Sequence, residues 1–182
     1  RVAQDPYSDT AQAMSNHIRV LNSSMYALYR PTDRITLMGS YSYRDYSDNN
    51  DANDFMGSAS YLFLRKPVAL AIGYRARFLD FRTQTGSGYF DPNDFSSHVL
   101  FLNGSFELGK FYGYAEPYYG YQTFTRYEEG SHAMIAGATG MLGYRFSKHL
   151  AAEVNGEVGD FAVSSSGASN YYLLGGRLII NF

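Results

Sequence analysis

Apolar and polar positions alternate along most of this chain with a period of two, the spacing that places successive side chains on opposite faces of a β-strand. The cleanest run starts at Val68. Val68, Leu70, Ile72, Tyr74, Ala76 and Phe78 fall on one face, and Ala69, Ala71, Gly73, Arg75 and Arg77 on the other. Similar runs cover 35–44, 55–64, 99–108, 111–126, 134–146, 150–159 and 170–182, and a weaker one follows His17 as far as Arg30. About nine strands are predicted. Short turns at 31–34, 65–67, 109–110 and 147–149 interleave with longer polar segments at 48–54, 84–94, 128–132 and 164–169, the rhythm of an antiparallel up-and-down meander. Pro117 interrupts its run and removes one ladder hydrogen bond, so a bulge or local break is expected there.

The two faces call for two different solvents. One carries almost no charge, whereas the other gathers Arg44, Arg75, Arg77, Glu107, Glu116, Gln122, Arg126, Arg145, Glu153, Glu157 and Arg177. An arginine turned toward hydrocarbon at a bilayer midplane costs about 2–4 kcal/mol, which assigns this row to a wet interior. The fold class expected is therefore all-β, an antiparallel up-and-down transmembrane β-barrel. Residues 1–15 are polar, lack alternation and read as a loop or the tail of an upstream segment, and 16–182 supply the barrel strands. Counting back from a periplasmic C-terminus leaves an odd number of strands, whereas single-chain bacterial barrels have an even number. The chain is thus expected to be the C-terminal part of a larger barrel.

The last strand ends in Leu178, Ile180 and Phe182 on one face. This ending resembles the C-terminal signal by which the barrel-assembly machinery of the bacterial outer membrane recognises its clients. That machinery and outer-membrane lipid are the partners the resemblance implies.

Composition agrees with this class. Of 182 residues, 45% are hydrophobic, and 18 Tyr and 13 Phe accompany 18 Gly. No apolar run approaches the roughly 18 residues of a spanning helix, whereas a barrel strand needs only about 9–11 residues with alternate ones apolar. Outward tyrosines suit the aromatic belts at headgroup depth. The absence of Cys removes disulfides, thiolate metal sites and thiol nucleophiles. A net charge of −2 argues against a nucleic-acid partner.

Catalysis is not expected. His17, His98, His132 and His149 lack metal-ligand spacing, and no Ser/His/Asp set can be assembled. No cofactor or metal is called for; the oxygen-rich stretch 48–54 lacks the spacing of a calcium loop. Two readings of the inward charges stay open. Paired Arg and Glu would plug a narrow lumen as static ion pairs, giving a non-conducting structural or adhesion-type barrel. Alternatively they line a wet translocation path. Small inward residues such as Ser40, Ser42, Gly73, Ser105, Gly137 and Gly143 favour open space.

The segment 86–95, Gly-Ser-Gly-Tyr-Phe-Asp-Pro-Asn-Asp-Phe, resembles the Gly-Tyr-Phe-x-Pro loop in the C-terminal barrels of exopolysaccharide-secretion porins, the group that includes the outer-membrane component of bacterial cellulose synthase. The resemblance implies an extracellular loop carrying Tyr89, Phe90, Asp91 and Pro92, export of a polysaccharide chain, and a periplasmic scaffold of tetratricopeptide repeats upstream of Arg1. The charge of such a polymer is left open, because Glu107, Glu116, Glu153 and Glu157 can cancel the field of the arginines.

Overall fold

The computed structural model describes residues 2–6, 11–164 and 167–180. They form one antiparallel sheet: β1 (Val2–Pro6), β2 (Arg19–Tyr29), β3 (Ile35–Tyr46), β4 (Asp51–Leu64), β5 (Val68–Phe81), β6 (Asn93–Leu108), β7 (Phe111–Arg126), β8 (Glu129–Arg145), β9 (Leu150–Ser164) and β10 (Gly167–Ile180). Each strand pairs with its sequence neighbours, in the order β1 to β10. One short helix, α1 (Ala11–Ser15), lies between the first two strands. The expected meander is therefore present, with nine long strands and one of five residues. Among the described residues β1 and β10 do not pair with each other, so the sheet stays open.

The first fifteen residues differ from the expected polar lead-in. Val2–Pro6 extends the ladder of β2, and α1 places Ala13 fully buried against the rest of the fold. Five residues containing Gln4, Asp5 and Pro6 are too few to show a period, and a single inward Ala gives no helical stripe.

The strands are longer than the apolar runs within them. Polar residues at the ends of β4 and β8 continue the ladder, with Asp45 opposite Asp51 and Arg126 opposite Glu129. The segments expected as loops at 48–54 and 128–132 shrink accordingly. The β7–β8 connection is the pair Tyr127–Glu128, both with positive φ (50° and 66°), the geometry of a two-residue hairpin turn. The segment 164–169 narrows to 165–166, which lies outside the described residues, as does the terminal Phe182. Of the four longer segments expected, the β5–β6 connection, 82–92, stays long. At Pro117 the β6–β7 ladder skips from Phe101–Tyr118 to Gly104–Ala115 without changing register, a local break and no bulge. The bulge lies at Asn93/Ser96 instead, where the long loop rejoins the sheet.

Register fixes the faces, because directly paired residues share one. Arg44 pairs with Ala52, Met56 with Arg77, Arg75 with Val99, Gln122 with Ala133, Gly143 with Glu153 and Glu153 with Arg177. The polar rows thus form one continuous face across eight strands. The opposite face is apolar and uncovered: Ile72, Leu100, Val154 and Leu174 are 52%, 59%, 56% and 81% exposed. Among the residues whose side chains are described, the charged strand residues Arg19, Asp45, Asp51 and Asp80 of this face sit at the end carrying the long loop. From Val68 to Phe78 ten steps of about 3.3 Å, tilted about 40°, span a height of about 25 Å, which matches the apolar band of a barrel wall.

Aromatic rings cover three inward glycines. Phe101 lies over its partner Gly73, Tyr118 over Gly137 and Tyr112 over Gly143, close enough that a Cβ on each glycine would meet ring atoms at 2.2–2.5 Å. These positions therefore seat rings, and do not open space as their small size suggests. At Gly137 a Cβ would also meet the Val158 carbonyl oxygen at 2.5 Å, and that backbone cannot swing aside. Gly137→Ala is expected to destabilise the folded protein by about 1–3 kcal/mol through overpacking. Gly39→Ala, which meets nothing within 4 Å, should leave the midpoint of urea unfolding nearly unchanged.

Candidate functional site

Near the loop end the inward row changes character. Tyr46, Ala52, Leu79, Phe81, Phe95 and Phe124 occupy inward positions and are buried, although water on that face would leave them exposed. What covers them is the β5–β6 loop, 82–92, folded back onto the sheet. Tyr89 stacks on Tyr46 at 4.8 Å and 12°, and packs against Phe81. Phe90 meets Phe124 and Phe95 edge-on at 5.2 and 6.2 Å. Tyr89, Asp91 and Pro92 are fully buried, so the segment expected as an extracellular loop folds over the polar face as a lid. The physical reason is the apolar inward patch beneath it.

Polar contacts hold the lid in place. Asn50 donates to the Thr83 carbonyl at 2.8 Å and to the Tyr89 hydroxyl at 3.0 Å, and that hydroxyl donates to Asp48 at 3.0 Å. Burial pushes the Tyr89 phenol well above its ordinary pKa, so it remains a donor. Asp91, 0% exposed, accepts from the Thr85 amide at 2.7 Å and pairs with Arg126 at 3.0 Å. Arg126 also donates to the Tyr89 carbonyl at 3.1 Å. On the far side α1 clasps the loop: Gln12 donates to the Gly86 carbonyl and Asn16 to that of Ser87. Gly88, at φ +96°, sits so close to Gln12 that a Cβ would meet it at 2.5 Å. Asp48 and Asn50, oxygen donors in the stretch weighed for calcium, are therefore engaged by the lid.

Below the lid every predicted lumen-lining residue falls on the polar face, and most meet one another. Asp54 accepts from Arg44 at 2.6 Å and from Arg77 at 2.7 and 2.9 Å. Arg75 pairs with Glu116 at 2.8 Å, and Asn103 donates to the second oxygen of that carboxylate at 3.1 Å. Toward the short turns Arg145 pairs with Glu107 and lies 4.3 Å from the Tyr112 ring centre. Tyr112 donates to Glu153 at 2.8 Å, and Arg177 holds the other oxygen of Glu153. Glu157 accepts from the Tyr171 hydroxyl. Six arginines, Arg44, Arg75, Arg77, Arg126, Arg145 and Arg177, thus pair with five carboxylates, those of Asp54, Asp91, Glu107, Glu116 and Glu153, and Glu157 supplies the sixth negative charge that balances them.

Sequence reasoning missed Asp54, which it placed in a solvated loop, and the inward burial of Asp91. One signal was available. Inward positions at the loop ends of β3, β4, β5, β6 and β7 turn apolar together, which marks a patch that some segment must cover. The outward His98 has a structural place: its Nδ1 lies 2.5 Å from the Tyr74 hydroxyl and its ring stacks on Tyr121 at 5.1 Å.

Beneath the lid a cavity of about 250 Å³ is lined from β4 to β10 by side chains that include Met56, Arg77, Gln122, Glu157 and Tyr171. A second, of about 500 Å³, opens at the short-turn end beside Arg65, Glu107, Tyr112 and Arg145.

No family model and no curated protein matches the sequence. Among solved structures, one described as "Bacterial polysaccharide outer membrane secretin" superposes with a TM-score of 0.75 at 11% identity, over 93% of this chain. The chain spans 59% of the length of that protein. At this identity the likeness establishes the fold, an all-β up-and-down sheet.

Asp54 is 8% exposed and anchors two guanidinium groups. Asp54→Ala is expected to cost about 1–3 kcal/mol in urea unfolding, the lumenal water screening part of the penalty for two stranded arginines. The exposed turn pair Arg65–Asp33 behaves differently. Hydrogen bonding and charge from Arg65 hold the Asp33 carboxyl below the usual carboxylate range. Its stabilising contribution is present above the unfolded pKa and lost as pH falls through the depressed one. Solvent screens that contribution strongly, so Asp33→Ala should leave the urea midpoint at pH 7 nearly unchanged.

Proposed function

We propose that this chain forms part of the wall of an outer-membrane β-barrel pore through which a polysaccharide is exported. The observation that carries the reading is the division of one single-layer sheet into an uncovered apolar face and a hydrated face of paired charges. Water does not tolerate apolar surface of this extent on a soluble protein, whereas a bilayer requires it. Aromatic residues cluster toward both ends of the apolar face, Phe55 with Phe78 at one and Phe111, Tyr144 and Phe146 at the other. The likeness of fold to a polysaccharide outer membrane secretin supports the choice of cargo, and the resemblance around Tyr89 to Pro92 points the same way.

The open edges belong to the same reading. Unpaired backbone N–H and C=O groups have no partner in hydrocarbon, so we take β1 and β10 to be flanked by further strands of one barrel. Leu178 and Ile180, on the apolar face of β10, would be read by the assembly machinery during insertion. A tetratricopeptide scaffold on the periplasmic side belongs to this proposal. No step of it calls for catalysis, metal or cofactor.

A second reading, a non-conducting structural or adhesion barrel, is favoured by the lid and by the pairing of all six inward arginines. The complete protein in planar bilayers separates the two. A steady current is expected, and Asp91→Ala, which releases Arg126 from the lid, should raise it; no current from either protein would sink the pore. Sidedness has its own check. Ile72→Arg should lose about 2–4 kcal/mol of stability in lipid vesicles, whereas Ser40→Arg, on the polar face, should lose little.

A further inference from the structure

The cavity beneath the lid carries local charge that the wall as a whole does not. On its β5 side Arg77 shares the single carboxylate of Asp54 with Arg44, which leaves cationic character there. On its β9 side Glu157 meets the Tyr171 hydroxyl and faces no arginine at ion-pair distance among the described residues, which leaves anionic character. Between them stands Gln122, 1% exposed, whose Nε2 has no hydrogen-bond partner. A buried amide donor left unsatisfied costs about 1–3 kcal/mol, and a protein retains one where something else supplies the acceptor.

We infer that this recess, built on Gln122, Arg77, Glu157 and Tyr118, is a binding subsite for one uncharged sugar ring of a glycan chain. A pyranose bears hydroxyl or acetamido oxygens that accept from Gln122 and Arg77, and O–H or N–H groups that donate to Glu157. Its C–H face suits the Tyr118 ring, which Gly137 seats in the wall. The recess, at about 250 Å³, is smaller than most drug-sized pockets and suits a single ring. A hexuronate or phosphate would gain Arg77 but meet Glu157 in the same space, and an ammonium sugar would meet Arg77; a bipolar recess prefers a neutral ring. The inference rests on the export reading, in that the ring would be one unit of the exported chain.

The test is equilibrium binding to the complete protein in detergent micelles, by ligand-observed NMR, with three oligosaccharides: a neutral hexose oligomer, a neutral N-acetylhexosamine oligomer and a hexuronate oligomer. One of the neutral oligomers should bind more tightly than the hexuronate. Gln122→Leu should weaken it about tenfold while leaving urea stability unchanged or raised, since the orphan donor is gone; a purely structural glutamine would lower stability instead. Should that variant fail to fold, Ser97→Leu fills the same recess from the paired position on β6 and should weaken binding similarly. Absence of neutral-sugar binding, tighter hexuronate binding, or affinity untouched by the folded variants would overturn the subsite. Sugar binding without bilayer current would keep the subsite and sink the pore.

Discussion

A sheet one layer thick has no interior of its own, so each face must suit whatever medium lies against it. This constraint governs the rest of the structure. Because side chains alternate strictly, a strand cannot mix the two media without breaking register. Every inward arginine of the wall finds a carboxylate on the same face, often well separated along the chain, as Arg75 finds Glu116. Among the described residues the apolar face carries charge at its rim, where strands rise past the apolar band.

The polar face is organised in levels. Under the lid, apolar and aromatic side chains form a compact cluster with Tyr89 at its centre. Next come Asp54 with its two arginines, then Arg75 with Glu116, and at the short-turn end the Arg145, Glu107, Tyr112, Glu153 and Arg177 network. Arg75–Glu116 and Arg145–Glu107 join non-adjacent strands, and Asp54 on β4 ties together both of its neighbours, so the ion pairs brace the curvature of the wall as well as neutralise it. Arg75 and Arg145 also lie over Phe101 and Tyr112, and such a guanidinium is less available to a passing ligand than a bare one. The wall therefore presents hydrogen-bonding groups and ring edges with little net field.

The lid alters the picture of the loop end. A segment rich in Gly, Ser and Asp looks solvated, yet Tyr89 and Phe90 are drawn onto an apolar inward patch, and Asp91 follows to meet Arg126. Two of the lid's contacts reach back to Asp48 and Asn50 in the β3–β4 turn, so the lid, that turn and α1 form one packed unit. A few polar contacts hold this unit together, chiefly Asp91–Arg126 and Tyr89–Asp48.

Alternation alone determined the nine long strands, their antiparallel order and the side occupied by the charged residues within the alternating runs, because a period of two is a local property that survives without knowledge of any partner. Arg44, Arg75, Arg77 and Glu116 were legible for that reason, and so was the apolar row of β10. Only the tertiary structure decided who pairs with whom, that Asp54 is a strand residue bridging two arginines, that Gly73, Gly137 and Gly143 seat rings, and that the 82–92 loop turns inward. Those outcomes rest on register and on contacts between segments distant in the chain, where burial of an apolar patch or of an ion pair outweighs the polar composition of the segment that supplies it.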